Sequence, residues 1–396
     1  MSSNTSGPMA PYTNPRSRGS SRRLLVIVSV CAIIASVLVG LYSWTSQSRQ
    51  ESSTSQPPIS TASVAAPPKA AVIVPKRAQP VVKCIADRLT ELGDQRAAYL
   101  AEIKASGATC VRIDIEWRAV EKSPPKNGVG SYDYADFDDN VAAIHAAGLE
   151  PHLNLDYAPW WAAGRKDPNA CMGGEICSPL EAHVSAYGAF SRATAQHYNQ
   201  PQFGEVRVYE IWNEPNFELY WPQVDPALYL KFFVSAKQGL RLANPEAIVI
   251  TGGLTVAGDQ AMLPVDFLNG MYTAGLHQHL DASTKIGFHP YTNGAMPGQD
   301  DAQDGWSQMV LSHGVLESNG DDAIGFWITE VAWSTNDVSP SEQAALVAEM
   351  FRLLRTPDYS WIEVVTWYTY RDNDKGMGLV AAEKSKPALS AYIKAA

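Results

Sequence analysis

Eight short apolar runs rich in β-branched residues recur between residues 82 and 370, each followed by a longer, Ala-rich stretch with helical periodicity. The strand candidates are VKCIAD (82–87), TCVRIDIEW (109–117), LEPHLNLDY (149–157), EVRVYEIW (205–212), AIVITGG (247–253), KIGFHPY (285–291), AIGFWITE (323–330) and IEVVTWYTY (362–370). Helical segments are expected near 91–106, 135–147, 180–198, 227–242, 262–274, 302–318, 340–355 and 387–395. In ASGATC and AAGLEP a Gly stands just past a helical run, where a C-cap belongs, and the next strand starts at once. Strands alternating with helices build βαβ units and hence a parallel sheet. Eight units over residues 81–396 match an α/β chain folded as a (β/α)8 TIM barrel, a fold of ~250 residues that tolerates insertions. A doubly wound open sheet is the alternative. It is disfavoured because no G-x-G-x-x-G or G-x-x-x-x-G-K-[ST] follows the first strands.

The region before residue 81 has a different composition. Residues 1–23 form a polar tail with Arg16, Arg18, Arg22 and Arg23 and no acid. LLVIVSVCAIIASVLVGLY (24–42) is uncharged over the ~20 residues a membrane helix needs. The preceding arginines predict a cytoplasmic tail, a transmembrane signal anchor over 24–44 and a domain held outside the membrane. A cleaved signal peptide, giving a secreted protein, is the runner-up. Residues 45–80, rich in Ser, Thr, Pro and Ala, cannot bury a core and read as a disordered linker. Cysteine use fits an oxidising compartment: Cys171 and Cys177 flank MGGEI at disulfide spacing, and Cys84 and Cys110 either pair or are separately buried.

The formal net charge of −10 argues against nucleic acid, whose phosphates need a basic face. Tyr and Trp are plentiful, and aromatic faces suit sugar rings. No Cys or His cluster has metal-ligand spacing, HQH at 277–279 included, so neither metal nor cofactor is expected.

In such a barrel, chemistry sits at the C-terminal ends of the strands. There the second strand offers Arg112, Asp114 and Glu116, and the third Asp156 and Tyr157. The fourth ends in Asn213 and Glu214, the sixth in His289 and Tyr291, and the seventh in Thr329 and Glu330, with Trp333 close behind. The eighth carries Trp367, Tyr368 and Tyr370. Two carboxylates facing each other across a cleft are what glycosidic cleavage requires: one protonated to help the leaving oxygen depart, the other ionised. Asn213 suits a bond to the hydroxyl beside the anomeric carbon. Arg112 suits holding a carboxylate ionised. His289 and Tyr291 suit orienting the two acids. Tyr157, Trp333 and above all Trp367 are candidates for the sugar-binding surface, while Trp117, Trp160 and Trp161 compete with packing roles. Asp156 and Glu116 read as solvated rim residues.

The pattern Y-E-I-W-N-E-P-N, followed about 115 residues later by W-I-T-E-x-x-W, resembles the retaining glycoside hydrolases of the large (β/α)8 clan A. V-R-I-x-x-x-W on the second strand and H-P-Y on the sixth are similar to family 5 and clan features, and WYTYRDNDKGMGLVAAEKSKPALSAY resembles the ending of family 39. NLDYAPWW lacks the His-rich third-strand ending of family 5, which tilts the resemblance toward family 39. The resemblance implies that Glu214 is the acid/base, Glu330 the nucleophile, and an oligo- or polysaccharide the substrate; the expected anchor puts that substrate outside the membrane. Transglycosylation by the same site, and a non-catalytic carbohydrate-binding barrel, stay open as alternatives.

Overall fold

The computed structural model describes residues 80–90, 92–172, 175–299, 304–382 and 384–395. The tail expected at 1–23, the membrane span at 24–44 and, but for Pro80, the linker at 45–80 lie outside the described residues. Among the described residues no helix is long and apolar enough to cross a membrane.

Eight parallel strands close into a barrel: β1 Val82–Ala86, β2 Cys110–Glu116, β3 Glu150–Asp156, β4 Val208–Ile211, β5 Ile248–Thr251, β6 Thr284–His289, β7 Phe326–Val331 and β8 Ile362–Tyr368. Each pairs with the next, β5 reaches β6 through Val249 and Thr284, and β8 returns to β1 in the register Ile85 opposite Trp367. The open-sheet alternative is thereby excluded. Each strand is followed by a main helix: α1 Arg96–Ala105, α2 Ala135–Ala146, α3 Val184–Tyr198, α4 Pro226–Ala243, α5 Pro264–Thr273, α6 Gly305–Asn319, α7 Pro340–Leu354 and α8 Pro387–Lys394.

Local sequence explains these boundaries. Asp225 caps α4, accepting from the backbone N–H groups of Ala227 and Leu228. Ser339 and Glu342 form a reciprocal capping box at α7, with Pro340 as its first residue. Gly107 and Gly148 end α1 and α2 at φ 87° and 71°, a left-handed turn that costs glycine no Cβ clash. Helices cover the strands from outside, so a strand such as β4 (VYEI) is buried on both faces and reads as a continuous run.

Both cysteine pairs form disulfides, Cys84–Cys110 between adjacent residues of β1 and β2, and Cys171–Cys177 within the loop after β3.

Candidate active site

The mouth of the barrel at the C-terminal strand ends holds a cavity of about 300 Å³. Arg112, Asn213, Glu214, Tyr291, Glu330 and Tyr157 all line it. His289 sits immediately behind, fully buried, with Nδ1 2.8 Å from an oxygen of Glu214.

Glu214 is delivered by a sharp turn. Trp212 and Glu214 adopt left-handed backbone angles, φ 73° and 44°, on either side of Asn213. Such angles cost a non-glycine residue on the order of 1–3 kcal/mol and persist only where the surroundings over-determine them. Here Trp212 is held at both ends: its backbone N–H donates to the Leu155 carbonyl, and its indole donates to the Tyr220 carbonyl at 3.1 Å. Its ring packs edge-on against Trp221. The result points Asn213 and Glu214 into the barrel mouth instead of letting the strand run on into water.

Glu330 is gripped at both oxygens. Arg112 Nη1 donates to Oε1 at 2.9 Å and the Tyr291 hydroxyl to Oε2 at 2.9 Å, with His289 Nδ1 3.9 Å from Oε2. Burial pushes this carboxyl up, but the charges of His289 and Arg112 and the Tyr291 hydrogen bond outweigh it and hold Glu330 below the ordinary carboxylate range. Tyr291 is itself pushed far up, by burial and by the charges of Glu330 and Glu214, so its hydroxyl remains a donor.

Arg112 is anchored from below. Its Nε donates to Glu210 at 2.5 Å and its Nη2 to Asn213 Oδ1 at 3.2 Å. Burial would weaken the guanidinium charge, but Glu210, Glu330 and Asp114 drive it the other way, well above its usual range. Because Asn213 Oδ1 faces Arg112, the amide NH2 is the group left to donate toward the cavity.

Glu210 was not singled out from the sequence, yet it is the hub of the buried network. It is 2% exposed and accepts from Arg112, from the Gly253 N–H at 3.0 Å and from Thr329 Oγ1 at 2.8 Å. A charged residue inside the buried run VYEI was the available signal.

The same network sets the protonation of His289. Thr329 spends its proton on Glu210, so its oxygen, 3.1 Å from His289 Nε2, accepts from that nitrogen. Nε2 therefore carries a hydrogen, and one further proton lies between His289 Nδ1 and Glu214. Burial pushes His289 down, but the charge of Glu330 and the contact with Glu214 outweigh it and raise its titration above the ordinary value. A Cβ on Gly253 would come within 2.1 Å of His289 Nε2, so only glycine lets the ring stand there.

The expected tryptophan platform does not match the structure. Trp367 is fully buried, packs on Trp333 and donates to the Met377 carbonyl, while Trp333, 2% exposed, donates to Thr292. Neither lines the cavity, and nor do Trp117, Trp160 and Trp161. The aromatic lining is Tyr157, Phe217, Tyr220, Tyr291 and Tyr368. Tyr157 stacks on Tyr220 with an interplanar angle of 14° and carries Arg118 over its ring.

Asp156 is not a solvated rim residue either. It is fully buried, and burial with the neighbouring charges of Asp114 and Glu116 pushes its carboxyl well up. Asn154 joins it to Asp114, donating at 2.8 and 3.0 Å. Glu116 pairs with Arg118 at 2.7 Å.

The two cavity carboxylates approach closely: one oxygen of Glu214 and one of Glu330 lie within 4.8 Å of each other. Retaining glycosidases place the two groups ~5–5.5 Å apart, inverting enzymes ~6.5–9.5 Å.

Comparisons with known proteins agree with the geometry. The sequence profile of the family described as Cellulase (glycosyl hydrolase family 5) matches residues 85–367. A β-xylosidase of Geobacillus stearothermophilus is 20% identical over 288 residues, covering 66% of this chain and 55% of that protein. Among solved structures, a family 39 glycoside hydrolase from Bacteroides cellulosilyticus WH2 superposes with a TM-score of 0.59 at 22% identity, over 80% of this chain and 63% of that one. The endoglucanase Cel5A of Thermotoga maritima gives a TM-score of 0.53 at 14% identity, over 78% of this chain and 96% of that one. The chain thus spans little more than half of the xylosidase and less than two thirds of the family 39 enzyme. Both families read from the sequence motifs are represented, and the structural likeness shows the shared barrel.

Proposed function

Because the chain belongs to the Cellulase family, glycosyl hydrolase family 5, we propose that it is a retaining glycoside hydrolase cleaving O-glycosidic bonds of a polysaccharide outside the cytoplasmic membrane. The observation that carries the mechanism is the approach of one Glu214 oxygen to within 4.8 Å of one Glu330 oxygen across the cavity, on the side of the short separation that double displacement uses.

In the first step, Glu330 attacks the anomeric carbon as the bond to the leaving oxygen breaks. Glu214 gives that oxygen its proton. The attacking group is ionised because Arg112, His289 and Tyr291 favour its charged form. In the second step, water attacks the same carbon, Glu214 takes a proton from it, and Glu330 departs as carboxylate. His289, sharing a proton with Glu214, holds that acid in place through both steps. The free NH2 of Asn213 donates to the hydroxyl beside the anomeric centre, and Tyr220 and Tyr368 supply aromatic lining for the sugar.

Placement outside the membrane is supported by the uncharged run at 24–42 behind an arginine-rich tail, and by the two disulfides, which persist in oxidising compartments. Membrane fractionation of tagged full-length protein tests it, with the domain expected to be open to added protease in intact spheroplasts.

Azide rescue tests the assignment of roles. Glu330→Ala is expected to abolish turnover of an activated aryl glycoside, and azide to restore it as a glycosyl azide of inverted configuration. Turnover that survives Glu330→Ala without azide defeats the assignment.

A further inference from the structure

The cavity wall carries two cations to which the double displacement assigns no hydrogen bond. Arg88 follows β1, and Lys375 lies in the loop after β8; these two strands are neighbours in the barrel. Both side chains are exposed, and among the described residues neither donates a hydrogen bond nor lies within ion-pair distance of a carboxylate.

The nearby acids do not neutralise them. Asp87, adjacent to Arg88, already accepts from the Tyr99 hydroxyl at 2.5 Å and from the backbone N–H groups of Arg88 and Tyr370 at 2.8 and 3.0 Å. Asp114 accepts from Asn154 and stands 4.0 Å from Arg112. Both line the cavity: burial pushes Arg88 down, but the charges of Asp114, Tyr368, Tyr157 and Glu116 outweigh it and hold it above its usual range, and Lys375 acts by its charge on Glu330. In a chain of net charge −10, two cations without an ion-pair partner on one cavity wall are a selective feature.

We propose that this wall recognises a carboxylate on the sugar, so that the substrate is an acidic glycan containing uronic acid residues. The inference rests on the glycoside hydrolase reading above. The planar guanidinium of Arg88 matches a carboxylate through paired N–H donors, and Lys375 adds a point charge with three donors on a flexible stem.

The test is a binding titration with full-length protein carrying Glu214→Gln, which separates binding from turnover. Two ligands are compared: an oligosaccharide with one glucuronic acid residue, and the same compound after reduction of its carboxylate to the alcohol. The acidic form is expected to bind at least about tenfold tighter at low salt, with the preference shrinking as salt screens the exposed cations. Adding Arg88→Gln and Lys375→Gln should bring the ratio close to one. Equal binding of the two forms, binding of neither, or a preference that survives loss of both cations overturns the proposal. None of these readouts depends on hydrolysis, so its failure is distinct from failure of the azide experiment, which bears on the catalytic reading alone.

Discussion

Arg112 of β2 and Glu330 of β7 meet across the barrel mouth at 2.9 Å, and the same guanidinium reaches Glu210 at 2.5 Å and Asn213 at 3.2 Å. One rigid fork thereby joins three strands and sets the charge of one carboxylate with the position of a second side chain. A lysine ammonium cannot span all three partners. Arg112→Lys is expected to lower kcat/KM by about 10²–10³, the usual loss for one preorganised donor. Glu330 is held below the ordinary carboxylate range partly by Arg112, so activity should be lost on acidification only as pH falls through that lowered value. In Arg112→Lys the acidic limb of kcat/KM should move to higher pH. A pH–rate profile that superposes on wild type contradicts the role given to Arg112.

His289 acts on the same carboxylate by charge and on Glu214 by a shared proton. His289→Gln removes the cation, so the acidic limb should again move up. Stability gives a second readout with a definite sign. A histidine whose folded value is raised contributes stability that is fully present below its ordinary value near ~6.5 and lost as pH rises through the raised value. The melting-temperature gap between wild type and His289→Gln should therefore be widest below about pH 6 and narrow in alkali. A gap that widens with rising pH refutes the assignment.

Trp367 is fully buried against Trp333 and donates to the Met377 carbonyl, behind the cavity wall. Trp367→Ala is expected to cost about 3–5 kcal/mol of stability, the range for removing a large buried aromatic side chain. Trp367→Phe should keep KM within about twofold while lowering the denaturant midpoint, because only packing and one hydrogen bond are lost. A KM raised tenfold with the midpoint unchanged would place the ring in contact with sugar after all.

Much of this was legible in the sequence because the barrel repeats one signal. Each of the eight strand candidates overlaps an observed barrel strand, and Gly107 and Gly148 end their helices as the composition implies. Arg112, Asn213, Glu214, His289, Tyr291 and Glu330 converge because strand ends converge in a closed ring, so strand order alone carried the site. What failed was facing. Both sides of a parallel barrel strand are buried, one toward the barrel axis and one toward the helices, and an aromatic residue suits either. Trp367 and Asp156 were misplaced for that reason. Glu210 lies within an apolar run and not at a strand end, so strand order does not point to it, although a charge inside such a run marks a paired site.

The stereochemistry of cleavage is the most direct test of the central claim, that Glu214 and Glu330, within 4.8 Å of each other, act by double displacement. Proton NMR of the first product anomer, recorded before mutarotation on a substrate of known configuration, reads it out. The anomeric configuration of the substrate is expected to be retained; an inverted first product would contradict it.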